Sequence, residues 1–320
     1  MKDYLDLLRR IRNEGAWQDN RTGIRTQAIS GACLSFDLRR GFPAVTTRRL
    51  AFKTFIGEMC GFLRGADSAA EFGALNCPIW DANANLNQAW LANPYRQGRD
   101  DYLGRIYGVQ WRHWRGHKLL HEGTPPFQAA LSKGWTVEGT ANDGRKLLCK
   151  SIDQLRDCLD KLVFQPTDRR ILFHAWNVAE LDEMALPPCH LLYQFNVDVA
   201  QRTLSLCVYQ RSVDAPLGLV GNLAEAAALA ALFARLSGYT AARLTWFGSD
   251  VHIYENQLDL VSEQLTREPY PPPTLVIGDR IPSYAQTKRY EPEWLDKVEP
   301  ADFQLQDYRH HAPLTAPMAV

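Results

Sequence analysis

The sequence lacks most of the short signatures by which a chain of 320 residues declares a ligand. No C-x-x-C pair occurs among its seven cysteines, and their odd number and scatter argue against a disulfide framework and a zinc site. A reducing compartment fits that usage, and a cytoplasmic location is expected. No Walker-type loop is present, and no G-x-G-x-x-G follows a strand, so nucleotide binding by those loops is unsupported. H-E-x-x-H is missing too. His310 and His311 have no third ligand at useful spacing, so no metal is expected and the pair reads as solvated. Charge of one sign is not in excess: 36 basic and 36 acidic residues cancel. That balance gives no support to nucleic acid or an anionic membrane as main partner, although a local basic cluster is still able to bind a phosphate. Met1 to Gly15 has no long apolar run. Its charges alternate with Leu5, Leu8 and Ile11 at helical spacing, so it reads as a helix rather than a signal peptide or anchor. The most apolar stretch, Leu223 to Leu236, is alanine-rich, carries Glu225 and Arg235, and falls short of the ~20 residues a bilayer span needs. It reads as a buried helix.

What is present is ordinary globular composition, 46% hydrophobic and 22% charged, on a chain long enough for one large core or two ordinary ones. Alternation predicts strands at Ala28 to Leu38 and Phe42 to Thr47, joined through Arg40-Gly41. Phe52 to Leu63 has helical spacing with Glu58 in its middle; on pattern alone that acid reads as a surface residue. Cys77 to Asp81 reads as a loop, and Leu103 to Trp114 as an aromatic, glycine-punctuated stretch. From Arg115 to about Lys150 periodicity weakens, which suggests an inserted surface excursion. Ser151 to Val163 is amphipathic, and Ile171 to Trp176 is a short apolar run. Leu191 to Val199 and Leu204 to Tyr209 alternate as paired strands, followed by a loop at Gln210 to Asn222. A strand around Leu244 to Phe247 and a long helix from about Tyr254 to Thr266 complete the pattern. Helices and strands follow in irregular order with no βαβ rhythm, which argues for an α+β fold.

The stretch M-A-L-P-P-C-H at 184–190 draws attention to Cys189. Two prolines fix the backbone before the cysteine and each removes an N–H donor. A lone intracellular cysteine is in general a small buried hydrophobe, so its role depends on its company. Cations favour the thiolate, which is the nucleophile. Arginine is frequent beside turns here: Arg21, Arg169, Arg170, and Arg211 next to the Ser212 hydroxyl. Converging, these would make a fork-shaped phosphate clamp; singly, each reads as solvated. His190 is adjacent to Cys189, and neighbours on an extended turn point apart, so a Cys/His hydrolase would need a distant partner such as His252, with no small-residue elbow around the cysteine.

Taken in order, the segments resemble the thymidylate synthase family along nearly the whole length, apart from 115–150. The stretches that carry this are D-N-R-T-G at 19–23, G-F-P-A-V-T-T at 41–47, E-M-C-G-F-L at 58–63, I-W-D at 79–81 and Y-G-V-Q-W-R at 107–112. They continue with D-R-R at 168–170, A-W-N at 175–177, M-A-L-P-P-C-H, Q-R-S-V-D at 210–214, L-G-L at 217–219, Asn222, D-V-H-I-Y at 250–254 and A-P-M-A-V at 316–320. The resemblance implies a single large α+β domain over 1–320, a mixed sheet covered by helices, with a surface insertion at 115–150. It implies one-carbon transfer from 5,10-methylenetetrahydrofolate to C5 of dUMP, with Cys189 adding to C6 of the ring. By the same resemblance Glu58, Tyr107, His190, Asp214 and Asn222 serve the chemistry. Arg21, Arg169, Arg170, Gln210, Arg211, Ser212, Asn222, His252 and Tyr254 hold the nucleotide, with Arg169 and Arg170 supplied by the other subunit of a homodimer. Asn222 suits uracil, because a carboxamide donates to O4 and accepts from N3–H. Ile79, Trp80, Asn83, Leu186, Asp214, Leu217, Gly218, Gly221 and Ala319 fall on the folate side.

The departures from the family pattern cluster on that side. Gly61 replaces a tryptophan, Asn83 a second one, and the family's G-L-P-F-N-I-A-S-Y-A stands here as G-L-V-G-N-L-A-E-A-A at 218–227. Gln257 replaces a familiar histidine. Lost aromatics would make room for water beside the exocyclic methylene, so the expected product is 5-hydroxymethyl-dUMP, with dTMP and dihydrofolate as the alternative. An idle nucleotide- or RNA-binding relative is a further reading.

Overall fold

The alternating stretches become one six-stranded mixed sheet in the computed structural model, which describes residues 1–316. In chain order the strands are β1 (Ala16–Gln18), β2 (Thr26–Asp37), β3 (Trp114–Leu120), β4 (Thr136–Thr140), β5 (Lys146–Ile152), β6 (Leu172–His174), β7 (His190–Asp198), β8 (Thr203–Asp214), β9 (Thr240–Tyr254), β10 (Thr274–Ile277) and β11 (Phe303–Gln306). The main sheet runs β1-β2-β9-β8-β7-β6, antiparallel except for the β8–β9 pair. A parallel pair needs a crossover, and the Gly218–Ser237 helix supplies it. Alanine-rich and free of proline, that helix buries nearly every residue, and it ends where Gly238 turns left-handed at φ +81° and donates its N–H to Ala234 O. At 20 residues it is long and apolar enough by itself to cross a membrane, so the short span inferred from 223–236 is corrected; within this fold it is a core helix.

The other helices complete the cover. Lys2–Glu14 packs Tyr4, Leu8 and Ile11 inward, as its spacing predicts. Phe52–Arg64 lies across Gly218–Ser237 and carries Glu58 into the interior, against the surface reading of its pattern. Close approaches explain two glycines. A β-carbon on Gly108 would stand 2.4 Å from the Phe62 carbonyl oxygen, and one on Gly57 would stand 2.1 Å from that of Leu75.

Several local readings need correction. Residues 42–47 form no strand: Pro43 interrupts any ladder, and the Phe42 N–H bonds instead to Pro273 O. Cys77 to Asp81 is a 3₁₀ turn (Pro78–Trp80) leading into the short helix Asp81–Asn85. The supposed loop from Gln210 is strand to Asp214, and helix begins at Gly218; the β9 ladder carries it to Asp214, while its pairing with β7 ends at Gln210 and the Arg211 N–H to Cys189 O bond. Strand β9 consumes Tyr254, and only Leu258–Leu265 is α-helical beyond it. Residues 115–150 are not featureless. They form most of a three-stranded sheet, β3-β5-β4, with the Pro125–Ser132 helix and a small core of Phe127, Ala130 and Leu148. So few buried residues leave little periodicity to read.

The face of the main sheet away from the helices is open. Tyr209 and Phe247 are each 42% exposed there, and both Cys33 and Tyr209 pair in register with Phe247.

Candidate active site

Cys189 stands half-buried at the entry to β7, directly after Pro187-Pro188. Its N–H donates to Tyr107 Oη at 2.7 Å, and its carbonyl accepts from the Arg211 N–H at 2.8 Å. The prolines have a second use besides stiffness. Their carbonyls clamp the guanidinium, with Arg211 Nε donating to Pro188 O at 2.7 Å and Nη2 to Pro187 O at 2.9 Å. This leaves Nη2 3.6 Å from Cys189 Sγ, with the Trp176 ring 5.6 Å from the guanidinium carbon. A planar cation held by two fixed acceptors faces the sulfur without the freedom of a surface arginine.

Around the thiol stands an aromatic wall. Tyr107 stacks on Phe62 with ring centres 4.8 Å apart and lies 4.6 Å from the His190 ring. Burial, and then the neighbouring Cys189, push the Tyr107 phenol well above its ordinary range. His190 points away from the thiol: its Nδ1 bonds Tyr193 Oη at 2.6 Å, and burial pushes its pKa down to about 3, so the imidazole is neutral. Among the described residues no hydrogen bond joins Cys189 to a histidine.

Behind the wall runs a directed chain of hydrogen bonds. Trp246 Nε1 donates to Gln210 Oε1 at 2.8 Å, Gln210 Nε2 to Asn222 Oδ1 at 2.8 Å, and Asn222 Nδ2 to Glu225 Oε2 at 3.2 Å. The Glu225 carboxyl faces that of Glu58, closely enough for each to perturb the other, and Glu58 accepts from Trp80 Nε1 at 2.9 Å. Glu58 and Glu225 are each 5% exposed, and burial raises both pKa values, that of Glu225 the further because Glu58 faces it. Glu225 and Trp246 escaped the sequence reading. The available signal was an acid in an otherwise apolar helix, three residues after Asn222 and so on its face.

At the ends of β8 and β9, Asp214 accepts from Leu217 N–H at 2.9 Å and from Gln257 Nε2 at 2.6 Å. Gln257 also accepts from the Tyr254 N–H, so the residue in the histidine's place is tied into the site. Burial, more than any partner, raises the Asp214 carboxyl. His252 Nδ1 lies 2.6 Å from Asp250 Oδ1, edge-on to Tyr254 with ring centres 5.1 Å apart. Ser212 is paired with Asp250 in the ladder. Arg21 is exposed on its turn, near enough to Tyr254 for its charge to be felt there. Arg169 and Arg170 are not brought in. They sit on the turn before β6, where Arg170 pairs with Asp168 and its side chain is 84% exposed; among the described residues, no hydrogen bond or ion pair joins either to the cluster.

On the remaining side, Ile79 and Trp80 lie on the 3₁₀ turn, Asn83 is half-buried in the next helix, and Leu186 precedes the prolines. Leu217 and Gly218 open the crossover helix; Ala319 and Val320 lie outside the described residues. The glycines do not leave holes. A β-carbon on Gly61 would stand 2.3 Å from the Phe72 ring, and one on Gly221 would stand 2.1 Å from the Phe55 ring. Neighbouring phenyl rings occupy the room that the missing aromatics vacate. Among the described residues no three His, Cys, Asp or Glu side chains group as a metal site.

A family model described as thymidylate synthase matches residues 2–320. Curated relatives include the thymidylate synthases of Bordetella parapertussis, 58% identical over 324 aligned positions, and Pseudomonas putida, 57% identical, each covering all of both chains. That of Idiomarina loihiensis is 38% identical with the same full coverage. The class is therefore a transferase of one-carbon groups to the pyrimidine nucleotide dUMP, with methylenetetrahydrofolate as co-substrate. The chain belongs to the thymidylate synthase family. The expectation of a hydroxymethylase gives way: the relatives bear the other name, and at Gly61 and Gly221 the rings of Phe72 and Phe55 leave no room for a further side chain.

Proposed function

We propose that this chain makes dTMP: it moves the methylene of 5,10-methylenetetrahydrofolate to C5 of dUMP, reduces it with hydride from the same folate, and releases dihydrofolate. The observation that carries the reading is the Cys189 thiol fixed beside the clamped Arg211 guanidinium. The Cys189 thiolate adds to C6, and the electron pair moves to C5, which attacks the methylene carbon. Arg211 stabilises the negative sulfur before addition and on its return as leaving group. Asn222 reads the ring, accepting from N3–H and donating to O4, while the buried Glu58 handles protons at O4 and the folate through water. Tyr107 stands where the C5 proton departs, and neutral His190 contributes to the polar surroundings of O4. Arg21, Arg211 and Ser212 hold the phosphate, and His252 with Tyr254 the sugar hydroxyl. Trp80 and the filled wall keep water from the exocyclic methylene, so hydride is the group that reaches it.

The active form in this reading is a homodimer in the cytoplasm. Its interface is the open sheet face of Cys33, Tyr209 and Phe247, and it brings the partner's Arg169 and Arg170 to the phosphate. The deciding experiment incubates the protein with dUMP and methylenetetrahydrofolate, follows dihydrofolate by absorbance, and identifies the nucleotide by mass. One dihydrofolate per dTMP is expected. Hydroxymethyl-dUMP without dihydrofolate would refute the product, and turnover retained by Cys189→Ala would refute the mechanism.

A further inference from the structure

We propose that Glu225 is a second acid of the active site, a positioning residue that shares one proton with Glu58 and fixes the direction of the Asn222 carboxamide. The argument rests on dUMP as substrate only for its catalytic consequence. An indole N–H is a donor and nothing else. Trp246 therefore makes Gln210 present its oxygen to the indole and its NH₂ to Asn222, and Asn222 in turn presents its NH₂ to Glu225. Trp80 fixes the other end by donating to Glu58. Donors enter the carboxyl pair from both ends. Oε1 of Glu225 is buried with no hydrogen-bond partner, and the carboxyl faces that of Glu58.

No ion pair involving either acid is present among the described residues. Two buried carboxylates in contact without a cation cannot both stay ionised, so one proton remains in the pair at neutral pH, and it belongs to the pair rather than to one residue. The surrounding titratable groups do not compete. Tyr107, Tyr193 and Cys77 are pushed upward by burial, and His190 is pushed down to about 3, so all four are neutral between pH 5 and pH 9. Asn222 keeps one lone pair and one N–H for the base, and their direction is the one uracil requires. The family pattern quoted above has serine at this position, which offers no second carboxyl.

The test is infrared difference spectroscopy at pH 7 on the full chain, comparing wild type with Glu225→Gln. The carbonyl stretch of a buried protonated carboxyl is expected in wild type. It disappears in the variant, where the glutamine NH₂ donates to Glu58 and lets it ionise. A wild type without that band, or a variant that keeps it, overturns the proposal. The pH profile gives a second readout. With the like charge gone Glu58 gives up its proton at lower pH, so kcat/KM for dUMP falls about tenfold relative to wild type on the alkaline side and stays within about twofold near pH 6; an unmoved alkaline limb also overturns it. Glu225→Ser is read in the same two ways should the glutamine variant not fold. Absence of dTMP formation by wild type would refute the substrate reading while leaving the infrared result standing, so the two failures are distinct.

Discussion

Phe72→Ala tests whether a filled wall decides the product. Phe72 is fully buried, its ring centre 5.5 Å from Phe62 and 5.6 Å from Trp80, and it occupies the space left by Gly61. Truncation removes the phenyl and opens a cavity between Gly61 and Trp80, at a cost of ~3–5 kcal/mol in stability. Against the ~5–15 kcal/mol typical of a folded domain the variant still folds, with a lowered urea midpoint and unchanged slope. Trp80, which donates to Glu58, loses its support, and water gains room near the methylene. Mass analysis of the nucleotide should then show hydroxymethyl-dUMP raised at least about tenfold over wild type, a change of ~1.4 kcal/mol in the partition between hydride and water. Phe233→Ala is the control: an equally buried ring stacked on Phe195 beneath the other end of the sheet, it should destabilise comparably without altering the product. A Phe72→Ala protein that is destabilised as stated yet forms dTMP and dihydrofolate one to one would refute the reasoning.

Mixing Cys189→Ala with an Arg169→Ala/Arg170→Ala double variant, after a denaturation–renaturation cycle, should restore turnover to about a quarter of wild type, because only mixed dimers hold one complete site; no restoration would show that the arginines serve their own chain's site or none. His190 is neutral in the fold and pulled down to about 3, below its unfolded value, so its contribution is present above pH ~6.5 and is lost as pH falls toward 3. By denaturant titration a His190→Gln variant should therefore gain up to about 2 kcal/mol relative to wild type between pH 7 and pH 5, and parallel pH profiles would contradict a buried neutral imidazole. Asn222→Asp should move preference from dUMP toward dCMP in competition assays, since a protonated carboxyl offers the reversed pattern; unchanged preference would mean that another group reads the ring.

How far the sequence could be read follows from where burial is one-sided. Leu191 to Val199 and the Lys2–Glu14 helix each bury a single face, and their periodicity was plain. Arg211 and Ser212 are both half-buried, which breaks the alternation of β8, and the strand beyond Gln210 read as loop. Pro43 was outweighed by apolar neighbours in a segment that pairs with no strand. At Cys189 the residue order alone suggested a fixed thiol, and the geometry adds that the two proline carbonyls hold its cation. Glu225 was legible only as a reason against a membrane span, because its meaning depends on Glu58, far away in the chain. The glycines at 61 and 221 misled for the same reason: what replaces a lost side chain need not come from the same stretch.

The single parallel pair, β8 with β9, has a consequence for how the protein acquires its site. Gln210, Asn222, Glu225, Trp246 and His252 all belong to one strand–helix–strand passage, and none is in place until the Gly218–Ser237 helix has laid β9 against β8. Such a closure fixes a long intervening segment before its contacts reward it, so it belongs to the slow part of folding. A partly folded chain holding only the antiparallel half of the sheet lacks Asn222, the proposed base-reading amide, and on that reading gains nothing from nucleotide. Ligand stabilisation, ~2.7 kcal/mol at a hundredfold excess over Kd, therefore falls wholly on the finished molecule, and the nucleotide acts as a one-way inspector of completed folding.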